Sequence, residues 1–175
     1  MDLFGLKAKT AAKFIKNRHQ NPDSEKKNPP NRIKSVGALA DVELFSNYDF
    51  TSKLTEAFKL APNQVQVALL DPSGKNQGRL DVPEAFSEES FGMFGKIKNS
   101  TLEDFVDREF DLLVNYSGTD WVYTEVILTR SKARLKAGFE AEGEGWQDIA
   151  IKIPANKMDT FHEELLKYLT IMHLI

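Results

Sequence analysis

Residues 110–139 read FDLLVNYSGTDWVYTEVILTRSKARLKAGF, and this stretch decides the fold. Residues 110–116 (FDLLVNY) read as a strand, the clearest in the chain. Ser117-Gly118-Thr119-Asp120 is turn and helix-start chemistry, and a helix is expected from there to about Ser131. Residues 134–139 return as a strand. Strand, helix and strand in this order form the crossover that joins two parallel strands.

The pattern continues on both sides. Upstream, residues 33–40 (IKSVGALA) read as a buried strand, and Asp41 stands where a helix N-cap would follow. Residues 42–60 place Leu44, Phe45, Phe50, Leu54, Ala57, Phe58 and Leu60 at helical spacings, with a break near Asn47. A strand over 64–70 stops at Asp71-Pro72-Ser73-Gly74, and an exposed loop follows to Asp81. Between Pro83 and Arg108, large apolar residues are separated by Gly92 and Gly95. A loop with short helices is expected there, one of them over 102–106 behind a cap at Ser100 or Thr101. Downstream, a fifth strand is read over 149–153 after a turn containing Gly143 and Gly145. The last helix follows Pro154-Ala155-Asn156, with Met158, Phe161, Leu165, Leu166, Leu169 and Met172 as its apolar stripe. The expected fold class is α/β: a Rossmann-like, doubly wound, mainly parallel five-stranded sheet with helices on both faces.

A different segment precedes this sheet. In residues 3–15, Leu3, Phe4, Leu6, Ala8, Ala11, Ala12, Phe14 and Ile15 recur every three or four positions with lysines between them, as in an amphipathic helix. Asn, Pro, Asp, Ser and Lys then fill residues 17–31, too polar to offset the entropy of ordering. The expected organisation is a basic helix over 1–16, a linker over 17–31 and one α/β domain over 32–175. Residues 1–35 hold nine Lys/Arg against three Asp/Glu, a net +6, which leaves −9 for the rest. A basic arm on an acidic body points to an anionic surface.

The chain has no cysteine, which removes disulfides, thiolate metal sites and cysteine nucleophiles. No apolar run reaches the roughly 20 residues of a membrane span, and lysines interrupt any signal-peptide core. The expected location is the cytoplasm, including the periphery of the inner membrane or of a large complex.

Motifs for chemistry fail one by one. The Gly37-Ala38-Leu39-Ala40-Asp41 junction lacks the glycines of a dinucleotide fingerprint, and Ser73-Gly74-Lys75 lacks the first glycine of a phosphate loop. Tyr116-Ser117-Gly118 lacks the glycine of a hydrolase elbow, so Ser117 reads as a cap or turn residue. His19, His162 and His173 have no metal-ligand spacing and are expected at the solvent. Glu88-Glu89 and Glu103-Asp104 read as solvated carboxylates. No metal and no cofactor is expected.

Four places are candidates for binding. Ligands of open α/β sheets sit beyond the carboxyl ends of the strands, which selects Asp41, Asp71, Asn115, Ser117 and Gly118. The run Phe91-Gly92-Met93-Phe94-Gly95-Lys96-Ile97-Lys98 sets aromatic anchors Phe91 and Phe94 beside Lys96 and Lys98, as a partner-binding loop would. The first helix offers Lys7, Lys13, Lys16 and Arg18 to RNA phosphates, or Leu3, Phe4, Leu6, Phe14 and Ile15 to a membrane interior. Arg130, Lys132, Arg134 and Lys136 alternate into a strand, as on a charged sheet edge or an anion-binding strip.

The segments IKSVG (33–37), FGMFGKIK (91–98), FDLLVNY (110–116) and SKARLKAGF (131–139), in this order, resemble an uncharacterised domain family of flavobacteria and related Bacteroidota. That resemblance covers nearly the whole chain and implies a fold and an origin but no reaction. The last two segments are also similar to the acceptor half of heptosyltransferase-like glycosyltransferases. Those enzymes need a second Rossmann-like domain for the nucleotide sugar, so this resemblance implies binding rather than catalysis. The functional expectation is a non-catalytic adaptor with a protein partner or larger complex, its basic helix on an anionic surface. A small ligand-binding or transferase-like enzyme and an RNA- or ribosome-associated factor are the alternatives.

Overall fold

The computed structural model describes residues 3–20, 27–45, 48–78, 84–140 and 146–175. In chain order these form α1 (Leu3–Gln20), β1 (Val36–Asp41), α2 (Val42–Phe45), α3 (Phe50–Phe58), β2 (Val65–Leu70), β3 (Ala85–Phe86), α4 (Ser100–Asp107), β4 (Leu112–Asn115), α5 (Val122–Arg130), β5 (Leu135–Phe139), β6 (Ile149–Ile151) and α6 (Met158–Ile171). Short 3-10 turns lie at Pro62–Gln64, Glu88–Ser90 and Met93–Gly95.

The sheet is open, six-stranded and parallel, in the order β3-β2-β1-β4-β5-β6. The expectation of five strands is therefore corrected to six. The addition is Ala85–Phe86, where Asp71 N–H donates to Phe86 O at 2.8 Å beyond the β2 pairing. Two residues carry no periodicity, so nothing in the local pattern separates them from loop.

Every residue of β1 and β4 is buried, as in parallel sheets covered on both faces. Val36, Ala38 and Ala40 of β1 join Phe50 and Leu54 of α3 and Phe161, Leu165 and Leu169 of α6 in one core. Leu39 joins Ala11 and Ile15 of α1, Leu102 and Phe105 of α4, and Val126 and Ile127 of α5 in the other. Helices thus lie against each face. Gly37 is needed where it stands, because a Cβ there would come within 2.8 Å of the Phe110 ring.

Several boundaries differ from the sequence expectation, each for a local reason. α1 continues to Gln20, so residues 17–20 of the expected linker are helical, and residues 21–26 lie outside the described part. The helix expected from Ser117 starts at Val122, because the Ser117 and Thr119 side chains are engaged elsewhere. α4 is capped by Asn99, whose Oδ1 accepts from Leu102 N–H at 3.0 Å, rather than by Ser100 or Thr101. α3 is capped by Asp49, which accepts from Ser52 N–H at 3.0 Å.

Candidate functional site

The strand order places β2 on one side of β1 and β4 on the other, so the order in which strands are added reverses between β1 and β4, which run parallel. A crevice opens at the carboxyl ends of strands at such a point. A cavity of ≈ 440 Å³ lies there, lined by Asp41, Glu43, Leu44, Leu70, Asp71, Ser73, Gly118, Thr119, Ala155 and Asn156 among others. Three of the five strand-end residues picked from sequence, Asp41, Asp71 and Gly118, line it, while Asn115 and Ser117 are buried behind it.

Two acids of this rim, Asp41 and Asp71, are committed inside the protein. Asp41 is the last residue of β1, and its Oδ1 accepts from Ser117 Oγ at 2.8 Å and its Oδ2 from Thr119 Oγ1 at 2.9 Å. Its expected role as a helix cap gives way to this bridge. Asn115 Oδ1 accepts from Ser117 N–H at 3.1 Å and fixes the turn that presents the hydroxyl. Buried Asp71 accepts from Ser73 Oγ (2.9 Å) and from Asn76 N–H (2.9 Å) and Nδ2 (3.3 Å). Burial alone would raise the Asp71 pKa, but these donors hold it below the usual carboxylate range. Among the described residues no Lys, Arg or His lines the cavity. Its chemistry is that of a partly apolar, acid-lipped pocket, suited to a neutral or cationic group and unfavourable to phosphate.

The second candidate is a surface. α1 docks on the body through buried Ala11 and Ile15, while Leu3, Phe4 and Leu6 at its start are exposed. Beside it stands the turn Met93–Gly95, where Met93 is 36% and Phe94 55% exposed. Phe94 has φ +56°, the left-handed region, which costs a bulky residue on the order of 1–2 kcal/mol.

Neighbours hold it there. Phe94 N–H donates to Thr10 Oγ1 of α1 at 3.0 Å, Lys96 N–H to Met93 O at 3.1 Å, and Gly92 N–H to Lys96 O at 2.7 Å. Arg130 Nε donates to Gly95 O at 2.7 Å, and its guanidinium lies 4.6 Å from the Phe14 ring centroid. Gly95, at φ +63°, leaves no room for a side chain, since a Cβ would meet Val126 at 3.1 Å.

Of the two aromatic anchors expected in this loop, only Phe94 is at the surface. Phe91 is buried and stacks on Tyr123 with centroids 4.4 Å apart. Lys96 and Lys98 are exposed, as are Lys13 and Lys16 on α1, while Lys7 and Arg18 are half-buried beside Phe4 and Phe14. Phe14 and Ile15, read as part of a membrane-inserting face, pack on the second core instead.

Further expectations are corrected. His162 is buried: its Nδ1 is 3.4 Å from Tyr48 Oη, and its Nε2 and the buried Tyr116 hydroxyl have no hydrogen-bond partner among the described residues. His162 follows Phe161 on a helix face wider than the apolar stripe alone indicated. His19 is half-buried against Trp146, with centroids 4.2 Å apart. The basic strip is not on a sheet edge, because β5 lies between β4 and β6. Lys132 pairs with Asp107 at 2.8 Å. Thr119 and Thr10 give no sequence signal as site residues, and Arg130 only that of a charged strip, since each acts on a partner remote in sequence.

Among the described residues, no group of three or more His, Asp or Glu could hold a metal ion. No helix among them is long and apolar enough to cross a membrane. No curated protein and no solved structure matches the chain. A family model matches residues 7–172, nearly the whole length of sheet and α1 just described, and the chain belongs to that family of unknown function, DUF6913.

Proposed function

We propose that the chain is a non-catalytic interaction protein that attaches to an anionic surface or larger complex through α1 and the 93–98 loop. The observation that carries this reading is exposed, left-handed Phe94, next to exposed Met93 and held on Thr10 of α1, whose first turns expose Leu3 and Leu6. Strained backbone that presents an aromatic ring to solvent has no use in packing, and strain of this kind concentrates where a protein meets something else. The lysines around it give that surface one sign of charge. Cytoplasmic placement at the edge of a membrane or complex, and an origin in Bacteroidota, complete the reading.

The test is fractionation of the cell of origin with the full chain and a Leu6→Glu/Phe94→Asn double variant. The wild type is expected with particulate material and the variant in the supernatant. Equal distribution of both would overturn the proposal.

The cavity favours a second reading, in which the Rossmann-like sheet binds a small neutral or cationic molecule between β1 and β4. Kinship with the acceptor half of heptosyltransferase-like enzymes would put a sugar there. Thermal melting with neutral sugars, polyamines and sugar nucleotides separates the cases: a shift with the first two and none with the third supports this reading, and no shift with any removes it.

A further inference from the structure

We infer that the surface built by α1 and the 93–98 loop binds the headgroup plane of an anionic phospholipid bilayer. This rests on the interaction reading above and names its partner. Residues 3–20 contain five Lys/Arg and residues 91–98 contain two more, with no Asp or Glu in either. Within these two acid-free segments stand Leu3, Phe4, Leu6, Met93 and Phe94, all exposed. Apolar side chains framed by lysines are the composition of an interfacial anchor, where the first enter the acyl boundary and the second remain among headgroups.

The geometry selects a plane over other anionic partners. Leu6 heads a helical face continued by Lys9, Lys13 and Lys16, at i, i+3, i+7 and i+10. Lys96 and Lys98 extend the charge onto the neighbouring turn, which Thr10 and Arg130 fix to α1. A row of lysines one helix long, continued on a second element, meets an extended anionic sheet all at once. An RNA backbone would satisfy the lysines but give Leu3, Leu6 and Met93 no apolar medium to enter. The remaining 149 residues, net −10, are repelled by the same surface and turn the basic face toward it. Rigid attachment of Phe94 also removes the ordering entropy that a free peptide loses on insertion.

The experiment is sedimentation of the full chain with phosphatidylcholine vesicles, with and without phosphatidylglycerol, at low and high salt. Expected is binding to the mixed vesicles, weakened by salt and at least tenfold weaker for Leu6→Glu/Phe94→Asn. Lys96→Glu/Lys98→Glu should weaken it as well, each lysine near an anionic surface being worth about fivefold in partition. Both variants keep all core residues, and wild-type-like melting confirms their folding. Equal binding to pure phosphatidylcholine overturns the assignment to anionic headgroups. Absence of wild-type binding at low salt overturns the bilayer altogether. If poly(U) retains the chain in a salt-dependent way while vesicles do not, the partner is nucleic acid and the inference is wrong. Loss of particulate association by the double variant, with no vesicle binding by the wild type, overturns the lipid assignment but leaves the interaction reading standing.

Discussion

Ser117 donates its hydroxyl to Asp41 at 2.8 Å, joining two residues 76 positions apart across the crevice between β1 and β4. Thr119 donates to the other carboxylate oxygen, so one Asp ties the end of β1 to the turn after β4. Hydrogen bonds to a charged acceptor that is largely shielded from water are worth about 1.5–3 kcal/mol each. Ser117→Ala is expected to lower the unfolding free energy in urea by about 2 kcal/mol, and Asp41→Ala by somewhat more because it strands two hydroxyls. Vesicle binding should be unchanged. A stability loss of only a few tenths for both would show that the crevice is not held shut by this bridge.

Phe94 should be replaceable with a gain in stability. Its ring is 55% exposed and its φ is +56°, so Phe94→Asn gives up little burial and removes an unfavourable left-handed aromatic. The expected change is an increase of up to about 1 kcal/mol in unfolding free energy, together with weaker surface binding. Denaturation and vesicle sedimentation on the same sample check both. A variant that is clearly less stable than wild type would mean that the ring contributes to packing, and the argument from strain would fail.

Much of the sheet was legible because burial on both faces writes a strand as an apolar run, as in residues 112–114 and 68–70. The two-residue β3 left no such run. The strand-end rule found Asp41, Asp71 and Gly118 at the cavity, but it could not show that the acids are engaged by Ser117, Thr119, Ser73 and Asn76, since hydrogen bonds between distant residues have no local pattern. Phe91 and Phe94 look alike in sequence, each followed by glycine, yet one is core and the other surface. The backbone decides this: a left-handed turn at Phe94 swings its side chain outward, whereas Phe91 forms an antiparallel bridge with Ile97 and points inward.

His162 should give the fold an acid-sensitive limb. Burial, and then the Lys53 charge, push its pKa below the ordinary histidine value, with Asp159 opposing. Below about pH 6.5 the unfolded chain therefore takes up this proton before the folded one does. The unfolded state binds more protons, so stability falls as pH drops below that point, until the folded imidazole also protonates. Above it His162 contributes no pH dependence. Asp49 and Asp71, whose pKa values are also lowered, act in the same direction but lose their contribution only at lower pH, near the carboxylate range. Urea midpoints followed from about pH 7.5 to 5 should decline for wild type and stay level for His162→Phe. An equal decline in the variant would assign the limb to other groups.

Arg130 should control how firmly α1 is held. It donates from Nε to Gly95 O at 2.7 Å and lies over Phe14, so a single side chain of α5 touches the loop and α1 together. Arg130→Ala removes a charge-assisted hydrogen bond and a cation–π contact, about 2 kcal/mol combined. The loss should be local, since the hydrogen bond and the ring contact join α5 only to the loop and to α1. Backbone amides of residues 10–20 and 93–96 are expected to exchange with deuterium markedly faster, while those of β1 and β4 stay protected. Arg130→Lys should restore little, because an ammonium lacks the flat guanidinium face that covers Phe14 and the Nε–H aimed at Gly95 O. Because surface binding depends on α1 and Phe94 being fixed side by side, Arg130→Ala should weaken vesicle binding although Arg130 itself is only half exposed. Unchanged exchange in α1 would show that Ala11 and Ile15 alone anchor the helix, and would separate its docking from the presentation of Phe94.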